Sequence, residues 1–157
     1  MNVEDTETQK AGATESKSVR YVVAALILRG DEVLICQRRP DQAMALKWEF
    51  PGGKMEEGET AEAALARELR EELRATLSKC VELGRVQQKY ADRNELFEIR
   101  FFAVALENYE VQPIAFEQIA WVFPKELGEY DFLAANKQII ARLATGNIKP
   151  AEILDES

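Results

Sequence analysis

The stretch from Trp48 to Ala75, WEFPGGKMEEGETAEAALARELREELRA, constrains this chain more than any other. Pro51-Gly52-Gly53 breaks whatever precedes it and lets the backbone pass close to a neighbour or a ligand. An acidic loop follows, and then a helix is expected over Thr60 to Ala75, with Ala61, Ala63, Ala64 and Ala66 supplying strong propensity. On that helix Glu68, Glu71 and Glu72 stand at i, i+3 and i+4. They fall at about 0°, −60° and +40° around the axis, so three carboxylates share one face. Leu65, Leu69 and Leu73 form a separate stripe about 100° away, suited to burial. Acids clustered on a helix that backs onto a core repel one another unless a positive charge sits among them. A divalent metal is the expected one.

The rest of the composition narrows the chemistry. A length of 157 residues fits one domain with a real core. A net charge of −8 argues against a general grip on nucleic-acid backbone or on anionic membrane. No apolar run reaches the ~18 residues that a membrane span needs. The chain has no histidine, which removes Ser-His-Asp and Cys-His catalysis and every His-ligated zinc or iron site. Cys36 and Cys80 lie far apart in apolar settings and read as buried, reduced thiols of a cytoplasmic protein. Catalysis must then rest on carboxylates, cations, backbone groups and a hard metal. All-oxygen ligands select Mg²⁺, or Mn²⁺, over zinc.

The order of elements follows from hydrophobic patterning. Residues 1–18 are polar and acidic without an apolar centre, and read as a disordered tail. Val19 to Leu28 and Glu32 to Gln37 make a strand pair around Gly30-Asp31. Arg38, at the end of that pair, is either a solvated strand end or an anion contact. Val81 to Tyr90 and Leu96 to Leu106 make a longer hairpin joined by Ala91-Asp92-Arg93-Asn94. Gln118 to Phe123 is a further strand, Pro124 opens a helical turn, and Leu133 to Leu143 is a closing helix. From Gly146 the chain turns polar, so residues 147–157 are expected to fray. The fold class is α/β: a mixed sheet between helices, spanning residues 19–146.

Read with its spacings, Gly53, five residues, Glu59, seven residues, then Arg67-Glu68-Leu69-Arg70-Glu71-Glu72 resembles the Nudix box, G-x5-E-x7-R-E-U-x-E-E-x-G-U, with U aliphatic. The resemblance covers most of residues 19 to 145 and implies the Nudix α/β/α sandwich. WEFPGGK and DFLAAN most resemble the MutT-like branch, which hydrolyses oxidised nucleoside triphosphates such as 8-oxo-dGTP; the CTP pyrophosphohydrolase type is similar over the same span. One position departs, because Arg74 stands where the box has glycine. Either the helix runs on past it, or Arg74 takes a left-handed conformation at ~1 kcal/mol.

The resemblance implies roles residue by residue. Glu71 and Glu72 would hold the metal with the backbone carbonyl of Gly52. Glu68 would act as general base, with a second role beside the metal, in a substitution at the β-phosphorus that gives a monophosphate and pyrophosphate. Arg38 and Lys54 would neutralise phosphate, and Glu49, Phe50, Pro51 and Gly52 would line the substrate. Arg67 reads as a brace for the acidic loop through Glu59. Glu117, before the last strand, is a candidate further ligand, although its spacing to Trp121 departs from the family pattern. Phe50 and Phe132 would flank the base with Asn136 at its edge, since an amide donates and accepts at once; the competing reading of Asn136 is a helix cap. The implied partner is a nucleoside triphosphate alone, without nucleic-acid polymer or membrane, and the protein a monomer or homodimer. A nucleotide-binding module without turnover is the reading from another class.

Overall fold

The computed structural model describes residues 18–90 and 94–156. Strand β1, Ser18–Arg29, is apolar on both faces: Val23, Ala25 and Ile27 enter one core cluster and Ala24 and Leu26 the other. A strand covered on both sides needs such a continuous run. Turning at Gly30-Asp31, the chain pairs β2, Glu32–Gln37, antiparallel to β1. Two short strands follow, β3 at Trp48–Glu49 and β4 at Gly52–Lys54, then helix α1 at Ala61–Leu73. The long pair β5, Leu77–Tyr90, and β6, Glu95–Leu106, leads to β7, Gln118–Val122. The sheet order is β3-β2-β1-β6-β5, with β4 also paired to β1 and β7 to β2. Strands β1 and β6 run parallel, from Ser18↔Glu95 to Ile27↔Val104, and the other strand pairs among the described residues are antiparallel, so the sheet is mixed as expected.

Helices lie on both faces. Leu65, Leu69 and Leu73 of α1, all fully buried, pack on Val23, Ala25, Phe102 and Val104. Each such leucine contributes roughly 1.5–3 kcal/mol by burial. The opposite face is covered by 3-10 turns at Pro124–Glu129 and Ala134–Asn136 and by helix α2, Lys137–Ala144, whose Ile139 and Leu143 pack with Leu26, Ile35 and Phe101. Among the described residues no helix is long and apolar enough to cross a membrane.

Helix α1 ends as the residues at its termini dictate. The Thr60 side chain accepts a hydrogen bond from the Ala63 N–H, capping the start. At the far end Arg74 is left-handed (φ 53°, ψ 35°), and the Arg74 and Ala75 N–H groups donate to the Arg70 and Leu69 carbonyls. Of the two outcomes open for Arg74, the chain takes the strained cap.

Two expectations change. Of the tail expected to fray over residues 147–157, Pro150–Glu156 form helix α3, and Ile148 and Leu154 are buried; residue 157 lies outside the described residues. Pro at a helix start and apolar residues at Ile153 and Leu154 overcome the polar composition around them. Cys80 is only half-buried, whereas Cys36 is buried as expected; both are free thiols. The tail expected over residues 1–18 lies outside the described residues except for Ser18, which opens β1. Of the expected hairpin turn, residues 91–93 also lie outside them.

Candidate active site

Two glycines bring the sheet and α1 into contact. A Cβ on Gly52 would collide with the Val23 carbonyl, so β4 can lie this close to β1 only with glycine there. A Cβ on Gly53 would fall on the carboxyl of Glu68. From α1, Glu72 reaches back to the same turn and accepts the Gly52 N–H at 3.0 Å. The Pro51 carbonyl faces the other way and accepts the Ala25 N–H at 2.8 Å, fixing the bend to the sheet.

These carboxyls are held away from water. Burial, then the neighbouring Glu68 charge, pushes Glu72 up to about 8, against the lowering effect of the Gly52 hydrogen bond. Burial likewise raises Glu68, opposed by Arg67. A positive charge placed between them would relieve both.

Arg67 is the hub of the acidic loop. Its Nε donates to Glu59 Oε2 at 2.6 Å and its Nη2 to Glu59 Oε1 at 3.0 Å and to the Lys54 carbonyl at 3.1 Å. The same Glu59 accepts the Glu56 N–H at 2.8 Å, and the Arg67 hydrogen bond holds its carboxyl down to about 2. The expected brace is in place. Arg67 Nη1 also donates to Glu68 at 3.1 Å and to Glu71 at 3.3 Å. Glu71 is thereby turned outward, its side chain 60% exposed. The helical face expected to gather three carboxylates gathers Glu68 and Glu72 and leaves Glu71 at its rim. Among the described residues no three acidic or thiol side chains are close enough to hold a metal as they stand.

Arg38 is not a free strand end: its guanidinium is held by its own loop and by Glu49. Its Nε donates to the Ala43 carbonyl at 2.8 Å and its Nη1 to Glu49 at 3.2 Å. Burial raises the Glu49 carboxyl and the Arg38 charge pulls it back. Lys54 projects from β4 and is exposed, while its backbone continues the ladder with Val22. Glu117 is exposed just before β7, its N–H donating to the Gln37 carbonyl.

Of the residues expected around a base, Phe50 and Phe132 meet. A parallel bridge joins Trp48 to Phe132, with the Trp48 N–H on the Asp131 carbonyl at 2.9 Å and the Leu133 N–H on the Trp48 carbonyl at 3.0 Å. This sets the Phe132 ring 5.4 Å from Phe50. Beyond them Asn136 is only 6% exposed, and its Oδ1 has no hydrogen-bond partner. The side chain makes no cap bond, so the capping reading of Asn136 fails. A buried amide oxygen left unpaired costs about 1–3 kcal/mol unless something fills the need.

Sequence reasoning missed the fasteners of this pocket. Lys47 pairs with Asp131 at 2.9 Å, and Trp48 stacks edge-on against Tyr130 at 5.1 Å. The signal available was two aromatic-charged dipeptides, Lys47-Trp48 and Asp131-Phe132, of complementary sign. A cavity of about 710 Å³ lies elsewhere, between Phe123, Ile148 and Pro150, and touches none of the glutamates of α1.

Residues 18–143 match the NUDIX domain. The chain belongs to the Nudix family. A Mycobacterium tuberculosis protein provisionally named 8-oxo-dGTP diphosphatase 2 is 39% identical over 125 residues, 80% of this chain and 88% of that one. The Escherichia coli 8-oxo-dGTP diphosphatase is 33% identical over 81% of this chain and 97% of its own, and the CTP pyrophosphohydrolase of the same organism is 32% identical over 83% and 96%. A MutT structure described for Aliivibrio salmonicida and Vibrio cholerae superposes with a TM-score of 0.70 at 26% identity, covering 82% of this chain and 99% of that one. Nudix hydrolases need a divalent metal, and the donors facing the Gly52-Gly53 bend, the carboxyls of Glu68 and Glu72, are the oxygen ligands a hard cation takes.

Proposed function

We propose that this Nudix protein is a Mg²⁺-dependent nucleoside triphosphate pyrophosphohydrolase that clears 8-oxo-dGTP or a closely related oxidised purine nucleotide from the cytoplasmic pool. The observation that carries the reading is a juxtaposition. Phe50, whose ring lies 5.4 Å from that of Phe132, is joined through Pro51 to the Gly52-Gly53 bend that meets Glu68 and Glu72. Base recognition and phosphate chemistry therefore share one rigid turn.

The division of labour follows. A triphosphate brings roughly four negative charges, and two unit charges ~5 Å apart at an effective dielectric of ~20 repel by ~3 kcal/mol. Mg²⁺ supplies the counter-charge and raises the acidity of the attacking water. Glu71 and Glu72, with the Gly52 carbonyl, are the residues that would hold it. Glu68 accepts the proton of the attacking water as general base. Lys54 faces the phosphates directly, and Arg38, already oriented by Ala43 and Glu49, presents the remainder of its guanidinium to them. Phe50 and Phe132 stack on the base while Asn136 reads its edge with the oxygen that lacks a partner.

A panel of triphosphates with pyrophosphate detection tests this. Release should be fastest per KM with 8-oxo-dGTP and should vanish with EDTA. Equal kcat/KM for dGTP or CTP sinks the oxidised-purine assignment. A clear preference for CTP would align the chain with its CTP pyrophosphohydrolase relative instead, and tight nucleotide binding without product would make it a binding module.

A further inference from the structure

The Nudix domain match stops at residue 143, yet the chain continues through a turn into α3. Helix α2, which follows Asn136, is eight residues long and buries only Ile139 and Leu143. A helix so short has little stability of its own, so its placement is decided by what grips its ends. At its start the Asn136 N–H donates to Leu133, which is itself bonded to Trp48. At its end the grip comes from the extra segment: the Gly146 N–H donates to the Leu143 carbonyl at 3.1 Å, the Ile148 N–H to the Arg142 carbonyl at 3.1 Å, and Arg142 Nε to Asn147 Oδ1 at 3.1 Å. That segment is in turn fixed to the sheet, because Ile148 and Leu154 are buried and Lys79 of β5 donates to the Leu154 carbonyl. The Arg142 guanidinium crosses β5 over Gly84, beside an irregularity in the pairing between Glu82 and Gly84, where a Cβ would already stand 3.5 Å from Nη1.

We propose that residues 146–156 are a brace that sets the position of Asn136, with Arg142 and Asn147 as positioning residues for base discrimination. This rests on the nucleotide reading given above. The brace holds one end of a rigid helix about 12 Å long, and Asn136 stands at the other. A misplacement of about 1 Å at a recognition group is enough to change rates strongly. The phosphate end of the site, built from α1 and β4, has no part in this linkage.

The test compares kcat and KM for 8-oxo-dGTP and dGTP in the full-length protein carrying Asn147→Ala, Asn147→Asp or Asn136→Ala, and in a chain ending at Gly146. Asn147→Ala should raise KM for 8-oxo-dGTP and shrink its advantage over dGTP about threefold, the scale of one hydrogen bond, with kcat within twofold. Asn147→Asp keeps the acceptor and should restore the advantage. Truncation should shrink it about tenfold or more, and amide exchange across α2 should quicken in both weakened forms. If Asn136→Ala removes the discrimination while Asn147→Ala and truncation leave it intact, the brace is refuted and the base-site reading stands. If Asn136→Ala itself changes nothing, both fall.

Discussion

The carboxyl of Glu68 occupies the space that a side chain on Gly53 would need. Gly53 is not left-handed, so alanine satisfies its backbone and the nearest clash is with the Glu68 carboxyl. Gly53→Ala should therefore displace the proposed base without unfolding the chain. Pyrophosphate release is expected to fall by about 10²-fold, as for loss of a general base, and Glu68→Gln should match it. Stopped assays alongside thermal melting check this; an unchanged kcat in Gly53→Ala would remove Glu68 from the mechanism.

Glu72→Gln keeps an oxygen for the Gly52 N–H while removing a carboxyl whose ionised form burial and Glu68 oppose. The metal-free variant should melt at or above the wild-type temperature. Mg²⁺ should stabilise the wild type by RT ln(1 + [Mg²⁺]/Kd) and the variant far less. Melting curves with Mg²⁺ and with EDTA decide the matter, and equal Mg²⁺ stabilisation of both proteins would exclude Glu72 as a ligand.

Acid should act on the Arg67–Glu59 pair in a defined window. Glu59 is held down to about 2, below its ordinary 4.5, so its contribution is complete above about 4.5 and disappears as the pH falls toward 2. The stability gap between wild type and Glu59→Gln should be constant from pH 5 to 7 and should close between pH 4.5 and 2. Denaturant midpoints measured across that range are the check; a gap that widens in acid would reverse the sign.

Arg74 carries the conformation that glycine adopts freely. Arg74→Gly should stabilise the protein by about 1 kcal/mol, or about 2–4 °C in melting temperature, and leave kcat unchanged. A lower melting temperature would show that the Arg74 side chain itself contributes more than the cap costs.

How much of this was legible depended on range. The leucine stripe of α1 is local, and spacing alone revealed it, whereas the Arg67–Glu59 brace came with the family likeness. The fate of Glu71 was not, because periodicity gives the direction of a Cα and not the competition of Arg67 for the carboxylate. The contact of Phe50 with Phe132 was inferable only through family likeness, since no local pattern signals a bridge between Trp48 and a residue so distant. The buried, unpaired oxygen of Asn136 emerges only once the pocket closes around it. Helix α3 was hidden by composition: its charged residues outweighed two apolar ones until the sheet supplied a surface for Leu154.

Strands β1 and β6 lie side by side in parallel, although Ser18 and Glu95 are separated by half the chain. Such a pairing cannot nucleate early, because nearly the whole acidic loop and α1 must be in place before its ends can meet. Until then Ile99 to Val104 present an unzipped, oily border to other molecules. Renaturation should accordingly be limited by this late zippering, and crowded refolding mixtures should lose protein to precipitation at that stage.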